Sequence, residues 1–386
     1  MRIAYVTDTY LPETNGIVAA IGRHMRLLVE RGHEFLVLCP RYGPDDPGDA
    51  PGITVVRHRA FGAPSNPDTH VALPWLPTMV RRLREFAPDL VHVHTPLPIG
   101  LSGLAAAGVL RVPRVQTYHS YVPGFLQYVR LGRLLGFDHG PRQVRETSWG
   151  HFLTRIVYNR AELVLAPSEA LCDVLRATGV KPEVRYQTNG MDLTELLPKD
   201  DWSLRRCVMH SGRLGFEKNS EVVVEAFARF AADRPDWTLH FMGEGPAKPY
   251  LASLIARLGI AGRVRWEGFV SRERLAESYR EADVYATAST IETQGLVVLE
   301  AMASGTPVVG VDALAVPEMA RKGRDGIIVP PYDPQAMADA LARLADDHEL
   351  RERMGRACAQ DVQAHELTAA VDRLERTYEE LLARHA

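Results

Sequence analysis

Short runs of β-branched and aromatic residues alternate with longer amphipathic stretches along this whole chain, and the series begins twice. RIAYVTD, EFLVLCP, ITVVRH, DLVHVHT, RVQTYH and LVLAPS read as a first set of strands. After residue 206 a second set follows: CVMHSG, WTLHFMG, VRWEGF, VYATAS, PVVGV and GIIVP. Helical periodicity over 16–31, 74–86, 219–233, 247–258, 271–282, 294–304 and 334–346 fills the gaps. Strands separated by helices form parallel sheets covered on both faces. A chain of 386 residues also exceeds what one hydrophobic core usually serves. The expectation is an α/β protein of two doubly wound, Rossmann-like domains, spanning 1–190 and 191–365, with 366–386 a helix returning to the first. The polar, turn-rich segment 188–203, TNGMDLTELLPKDDWS, is expected to carry the crossing between them. Ligands of such sheets bind at the carboxyl ends of the strands, so the site is expected in a cleft that those ends line.

Composition removes several classes. A net charge of -3 argues against a protein that coats nucleic acid through bulk charge. Cys39, Cys172, Cys207 and Cys358 form no C-x-x-C pair, the usage of reduced thiols in a cytoplasmic enzyme. The apolar run at the N-terminus is stopped by Asp8, too soon for a signal peptide, and no window is apolar enough to span a bilayer.

The chemistry concentrates in a few loops. In IETQGLVVLEAMASGTPVV, residues 291–309, Glu292 precedes a helix N-terminus at a strand's carboxyl end, and Glu300 lies about two turns on. The amides of Gln294, Gly295 and Leu296 at that terminus suit an anion, with no side chain on Gly295 to block it. Taken alone, the two acids also suit a dipole partner and a half-exposed polar residue. HSGRLGFEKN, residues 210–219, puts Arg213 and Lys218 in a loop after a first strand, a guanidinium fork and an ammonium suited to a pyrophosphate; the same pair also suits a solvated basic turn. FMGEGP and WEGFV set Gly243 and Gly268 after the next two strands, with Phe269 and Val270 expected to line a slot for a flat base.

In the first half, Asn15-Gly16 opens a helix and allows close approach of a ligand. His119 follows a strand, placed to exchange a hydrogen bond with a sugar hydroxyl or to be a surface histidine. His92 and His94 share a strand face, with no third ligand spaced to complete a metal site.

The two-domain plan, GRLGFEKN, MGEGP and the E-x7-E of ETQGLVVLEAMASGTPVV resemble glycosyltransferase family 4, retaining nucleotide-sugar-dependent enzymes of GT-B fold. The resemblance covers essentially the whole chain. It implies that Arg213 and Lys218 hold the donor diphosphate, Glu292 the transferred sugar, the Gly295 and Leu296 amides the pyrophosphate, and Glu300 the ribose. It places Gly16 at the donor's reacting end and His119 near the sugar, so His119, Glu292, Arg213 and Lys218 are the expected catalytic set. It implies no cofactor and no divalent metal. The chain departs from the common motif where Thr293-Gln294 replaces Ser-Phe and where Asn15-Gly16 replaces Gly-Gly, which bears on the sugar contacts.

TDTYLPETNGIV, HTPLPIG and TYHSYVPGFLQY look most like the lipid-glycosylating branch, such as diacylglycerol glucosyltransferases and phosphatidylinositol mannosyltransferases. Residues 73–86 set Trp75, Leu76, Met79, Val80 and Leu83 beside Arg81, Arg82 and Arg84; residues 121–137 set Tyr121, Phe125 and leucines beside Arg130 and Arg133. Apolar anchors edged by arginines suit an anionic bilayer surface, and equally a pair of helices packed on the sheet. The expected activity is transfer of a hexose, glucose first and mannose next, from UDP- or GDP-sugar to a membrane lipid by an enzyme peripheral on the inner face of the cell membrane. The competing readings are the same transfer to a soluble acceptor, a nucleotide-sugar-binding protein without turnover, and an epimerase.

Overall fold

The computed structural model describes residues 1–13, 15–63, 66–125 and 148–385. They divide into two compact units, the first running from Met1 to Gly190 and completed by the segment from Leu367, the second Met191–Glu366.

The first unit is organised by a parallel sheet. Its strands are β1 (Arg2–Val6), β2 (Glu34–Pro40), β3 (Ile53–His58), β6 (Leu90–Val93), β7 (Arg114–Thr117), β8 (Leu163–Ala166) and β9 (Glu183–Tyr186). They lie in the order β3-β2-β1-β6-β7-β8-β9, so the strand order reverses between β1 and β6. Between β3 and β6 the chain makes an antiparallel hairpin, β4 (Ala60–Ala63) and β5 (Asn66–Ala72). Helices α1 (Gly16–Glu30), α2 (Leu76–Phe86), α3 (Pro98–Leu110), α4 (Val122–Phe125), α5 (Ser148–Tyr158) and α6 (Glu169–Thr178) connect the strands. Asn15 starts α1, its Oδ1 accepting from the amides of Ile17 and Val18 at 3.1 and 3.0 Å. Helix α3 presses so closely on the sheet that a Cβ at Gly103 would lie 2.6 Å from Cγ1 of Val6 in β1.

Helix α14 (Leu367–Ala383) belongs to this first unit. Leu367, Val371, Leu374, Tyr378 and Leu381 enter the core with Ile3, Tyr5, Ile21 and Val37. The Tyr378 hydroxyl lies 2.6 Å from His92 Nδ1 and 3.2 Å from the Tyr5 hydroxyl. At the rim Arg31 pairs with Asp372 and Glu375.

The second unit repeats the plan. Strands β10 (Cys207–Ser211), β11 (Thr238–Met242), β12 (Val264–Gly268), β13 (Val284–Ala286), β14 (Val308–Val311) and β15 (Gly326–Val329) are all parallel, in the order β12-β11-β10-β13-β14-β15. Helices α7 (Ser220–Phe230), α8 (Lys248–Arg257), α9 (Arg272–Glu281), α10 (Leu296–Ala303), α11 (Val316–Met319), α12 (Pro334–Asp346) and α13 (His348–Asp361) cover both faces. Here the order reverses between β10 and β13, and that switch point is where the site residues fall.

Segment 188–203 is not a solvated linker throughout. Met191, Leu196 and Trp202 are buried, and the Trp202 indole donates to the Gly305 carbonyl at 2.9 Å. The polar letters concealed three apolar anchors that pack on the second unit.

Candidate functional site

Three loops at the carboxyl ends of β10, β11 and β12 interlock through their glycines. The Gly243 amide donates to the Gly268 carbonyl at 2.7 Å, and a Cβ on Gly243 would stand 2.2 Å from the Gly212 carbonyl oxygen. Gly243 holds φ +129°, so both its space and its backbone demand glycine. The Leu214 amide donates to the Glu244 carbonyl at 2.9 Å. On the other side Gly212 abuts Val297 in the first turn of α10. The loop holding Arg213 therefore runs beside the N-terminus of α10.

Helix α10 begins at Leu296 because Gly295 takes φ 77° as its N-cap. The first intrahelical donors are Val298 and Leu299, which both bond the Gly295 carbonyl, so the amides of Leu296 and Val297 have no acceptor within the helix. Immediately before this turn, Glu292 is 8% exposed and accepts from Lys218 Nζ at 2.7 Å. Burial works to raise the Glu292 carboxyl pKa, but the Lys218 ammonium outweighs it and holds the group below its ordinary value. Lys218 and Glu292 are thus an ionised pair across 74 residues of sequence.

Arg213 is different. Its side chain is 59% exposed and only approaches Glu217, at 3.5 Å. Glu300, half-buried on α10, accepts from the Tyr279 hydroxyl at 2.9 Å, and Tyr279 also bonds Ser211 at the end of β10 at 2.6 Å. Thr293 is half-buried, and Gln294 and Gly295 are buried in the same turn. The second unit therefore carries Arg213, Lys218, Gly243, Gly268, Glu292, Thr293, Gln294, Gly295, Leu296 and Glu300 at the carboxyl ends of β10, β11, β12 and β13 and on α10.

Sequence reasoning missed the supports of this group. Asn219, 1% exposed at φ 48°, donates from Nδ2 to the Ala288 carbonyl at 3.2 Å and to Thr290 at 3.3 Å. It ties the Lys218 loop to the Glu292 loop. His210 lies 2.8 Å from the Ala286 carbonyl and 2.9 Å from the Ser220 hydroxyl, which fixes the start of α7. An asparagine closing GFEKN before a helix was the available signal for the first.

The Phe269 ring is 84% exposed, while Val270 packs partly into the core. One expectation in the first unit needs correction. In α2, Met79 and Leu83 are fully buried, because the helix turns them inward, and so cannot anchor in a bilayer; Tyr121 is 5% exposed and is likewise core. Leu73, Trp75 and Leu76 remain exposed beside Arg81, Arg82 and Arg84. Arg81 and Arg82 both pair with Glu85. The side chain of Phe125, and Arg130 and Arg133, lie outside the described residues.

In the first unit, exposed Gly16 opens α1 and half-buried His119 follows β7. His119 Nε2 lies 3.1 Å from His94 Nδ1. Asp8, at the end of β1, accepts from Thr95 and from the amides of Ile99 and Gly100. Among the described residues no group of three or more His, Cys, Asp and Glu is arranged to hold a metal ion, and no helix is long and apolar enough to cross a membrane.

Comparison with known proteins places this geometry. The model of Glycosyltransferase Family 4 matches residues 14–195, and that of Glycosyl transferases group 1 matches 203–361. The chain is 30% identical over 399 residues to a GDP-mannose-dependent alpha-mannosyltransferase of Mycolicibacterium smegmatis, covering 100% of this chain and 99% of that one. It is 27% identical over 323 residues to an alpha-monoglucosyldiacylglycerol synthase of Streptococcus pneumoniae, covering 80% of this chain and 70% of the relative. In fold it resembles a sucrose-phosphate synthase of Thermosynechococcus elongatus, with TM-score 0.79 and 21% identity over 99% of each chain. Two Rossmann-like units of this order make the GT-B fold. The chain belongs to glycosyltransferase family 4, and it is a nucleotide-sugar-dependent hexosyltransferase.

Proposed function

We propose that this enzyme transfers a hexose, with retention at the anomeric carbon, from a nucleotide diphosphate sugar to a membrane lipid acceptor. The observation that carries the donor half is the Lys218–Glu292 pair, 2.7 Å apart beside the open first turn of α10. A diphosphate seated there meets Lys218, the Leu296 amide and Arg213, whose exposed guanidinium is free to swing onto it. These groups stabilise the charge that develops as the bond from C1 to the diphosphate oxygen breaks. The acceptor oxygen bonds C1 on the face the diphosphate leaves, and its proton passes to a phosphate oxygen. No protein nucleophile and no metal is needed for this sequence. Glu292 grips the sugar hydroxyls and Glu300 the ribose.

UDP-glucose is the donor the motifs favour. GDP-mannose is the second reading, favoured by a relative named for that donor and matched over its whole length. The lipid acceptor is supported by the monoglucosyldiacylglycerol synthase likeness and by the exposed Leu73, Trp75 and Leu76 beside arginines, and a place on the inner membrane face is part of the same proposal. The test is a transfer assay with each donor, with and without vesicles containing diacylglycerol or phosphatidylinositol, the anomer read by NMR. Vesicle-dependent α-glycolipid is the expected product. Transfer to soluble acceptors alone would remove the lipid, and a β-linked product would remove retention.

A further inference from the structure

His94, just past β6, is 2% exposed and lies over His92 with ring centroids 4.1 Å apart. Its Nδ1 meets Nε2 of His119 at 3.1 Å, while its own Nε2 is buried and has no hydrogen-bond partner. The Tyr5 ring packs against His94 in an edge-to-face arrangement, with ring centroids 4.4 Å apart. Both histidines are neutral, because burial pulls His119 down to about 3 and His94 well below its ordinary value.

Two neutral imidazoles joined by one N–H···N bond have two arrangements. Were His119 to donate from Nε2, His94 would accept at Nδ1 and carry its own proton on Nε2. That N–H would be buried with nothing to bond, the costlier defect, since orphaned buried donors are rarer than under-bonded acceptors. With the proton of His94 on Nδ1, the unpartnered atom is a bare lone pair instead. His119 then accepts at Nε2 and carries its proton on Nδ1, the nitrogen turned away from the pair.

We propose that His94 is a positioning residue that fixes His119 in the Nδ1-protonated tautomer, so that His119 presents a hydrogen-bond donor to an oxygen of a sugar substrate. A histidine held this way reads oxygen lone pairs and does not remove protons. The proposal rests on the function proposed above only in naming a sugar oxygen as recipient; the tautomer is a property of the chain without ligand.

The experiment uses the full chain labelled with 15N at histidine, examined at pH 7 by long-range proton–nitrogen correlation. The His119 signals are assigned by their loss in H119Q. A pyrrole-like Nδ1 and a pyridine-like Nε2 are expected, and a proton on Nε2 overturns the proposal. In H94L, His119 should revert to the Nε2-protonated form that free imidazole side chains favour, and kcat should fall at least about tenfold with little change in KM for the donor. H94N, whose amide reproduces a donor at the Nδ1 position, should restore both the tautomer and kcat. An H94L protein with unaltered tautomer and rate would also sink the idea. If the chain transfers no sugar from any donor, the function proposed above fails while the tautomer measurement still stands.

Discussion

Glu292 is a carboxylate that stays charged in a buried place because Lys218 is 2.7 Å away. Each partner therefore depends on the other in a way that separates chemistry from folding. Replacing Glu292 by Gln keeps the shape and removes the charge; transfer should drop by roughly 10²-fold while nucleotide still binds, measured by initial rates against calorimetric affinity. Replacing Lys218 by Met leaves the carboxylate uncompensated, and should destabilise the protein by about 3 kcal/mol in urea unfolding at pH 7. Equal stability of the two variants would mean that the ion pair is not formed in solution. At this scale the acids, Arg213 and Lys218 were readable, since E-x7-E and a cationic loop are local patterns. Their partnership was not, because 74 residues separate Lys218 from Glu292 and nothing local records which neighbour a folded chain will supply.

At the level of elements, α5 and α6 went unexpected although they are amphipathic, while the strands and the other amphipathic helices declared themselves through periodicity. Helix α3 did not, because PIGLSGLAAAGVL is small and apolar on every side and carries no polar stripe. Strand β9 was missed because EVRY is short and charged at the sheet's edge. What no local pattern gives is the contact that α14 makes, where its tyrosine completes a hydroxyl–imidazole chain under β1 and β6. Tyr378→Phe leaves His92 Nδ1 and the Tyr5 hydroxyl short of a partner, and should cost about 2 kcal/mol with little effect on donor affinity. Imidazoles buried in both units set an acid limit. Burial lowers His24 and His210 to about 4 and His119 to about 3, while an unfolded imidazole titrates near 6.5. Between those values the unfolded chain binds more protons, so stability is full above about pH 6.5 and declines as pH falls toward 4. Urea midpoints at pH 7.5 and 5 check this; a midpoint higher at pH 5 contradicts it.

For the whole molecule, the proposed membrane attachment turns on which surface groups are unengaged. Arg81 and Arg82 share Glu85, whereas Arg84 forms no ion pair among the described residues and Trp75 is 70% exposed. Trp75→Ala and Arg84→Ala should each weaken co-sedimentation with anionic vesicles, and Arg81→Ala should do so less, with the Arg84 contribution of about 1 kcal/mol fading as salt rises. Identical binding by all three variants would place the contact elsewhere. The chain's route has a last implication, for biosynthesis. Because α14 seals the core that β1 begins, the portion translated first is the portion finished last, and the later-made half is able to mature while the earlier one still waits on the ribosome. A circular permutant with residues 367–385 placed ahead of Met1 would make that half contiguous, and should shorten the time its nascent form depends on chaperones.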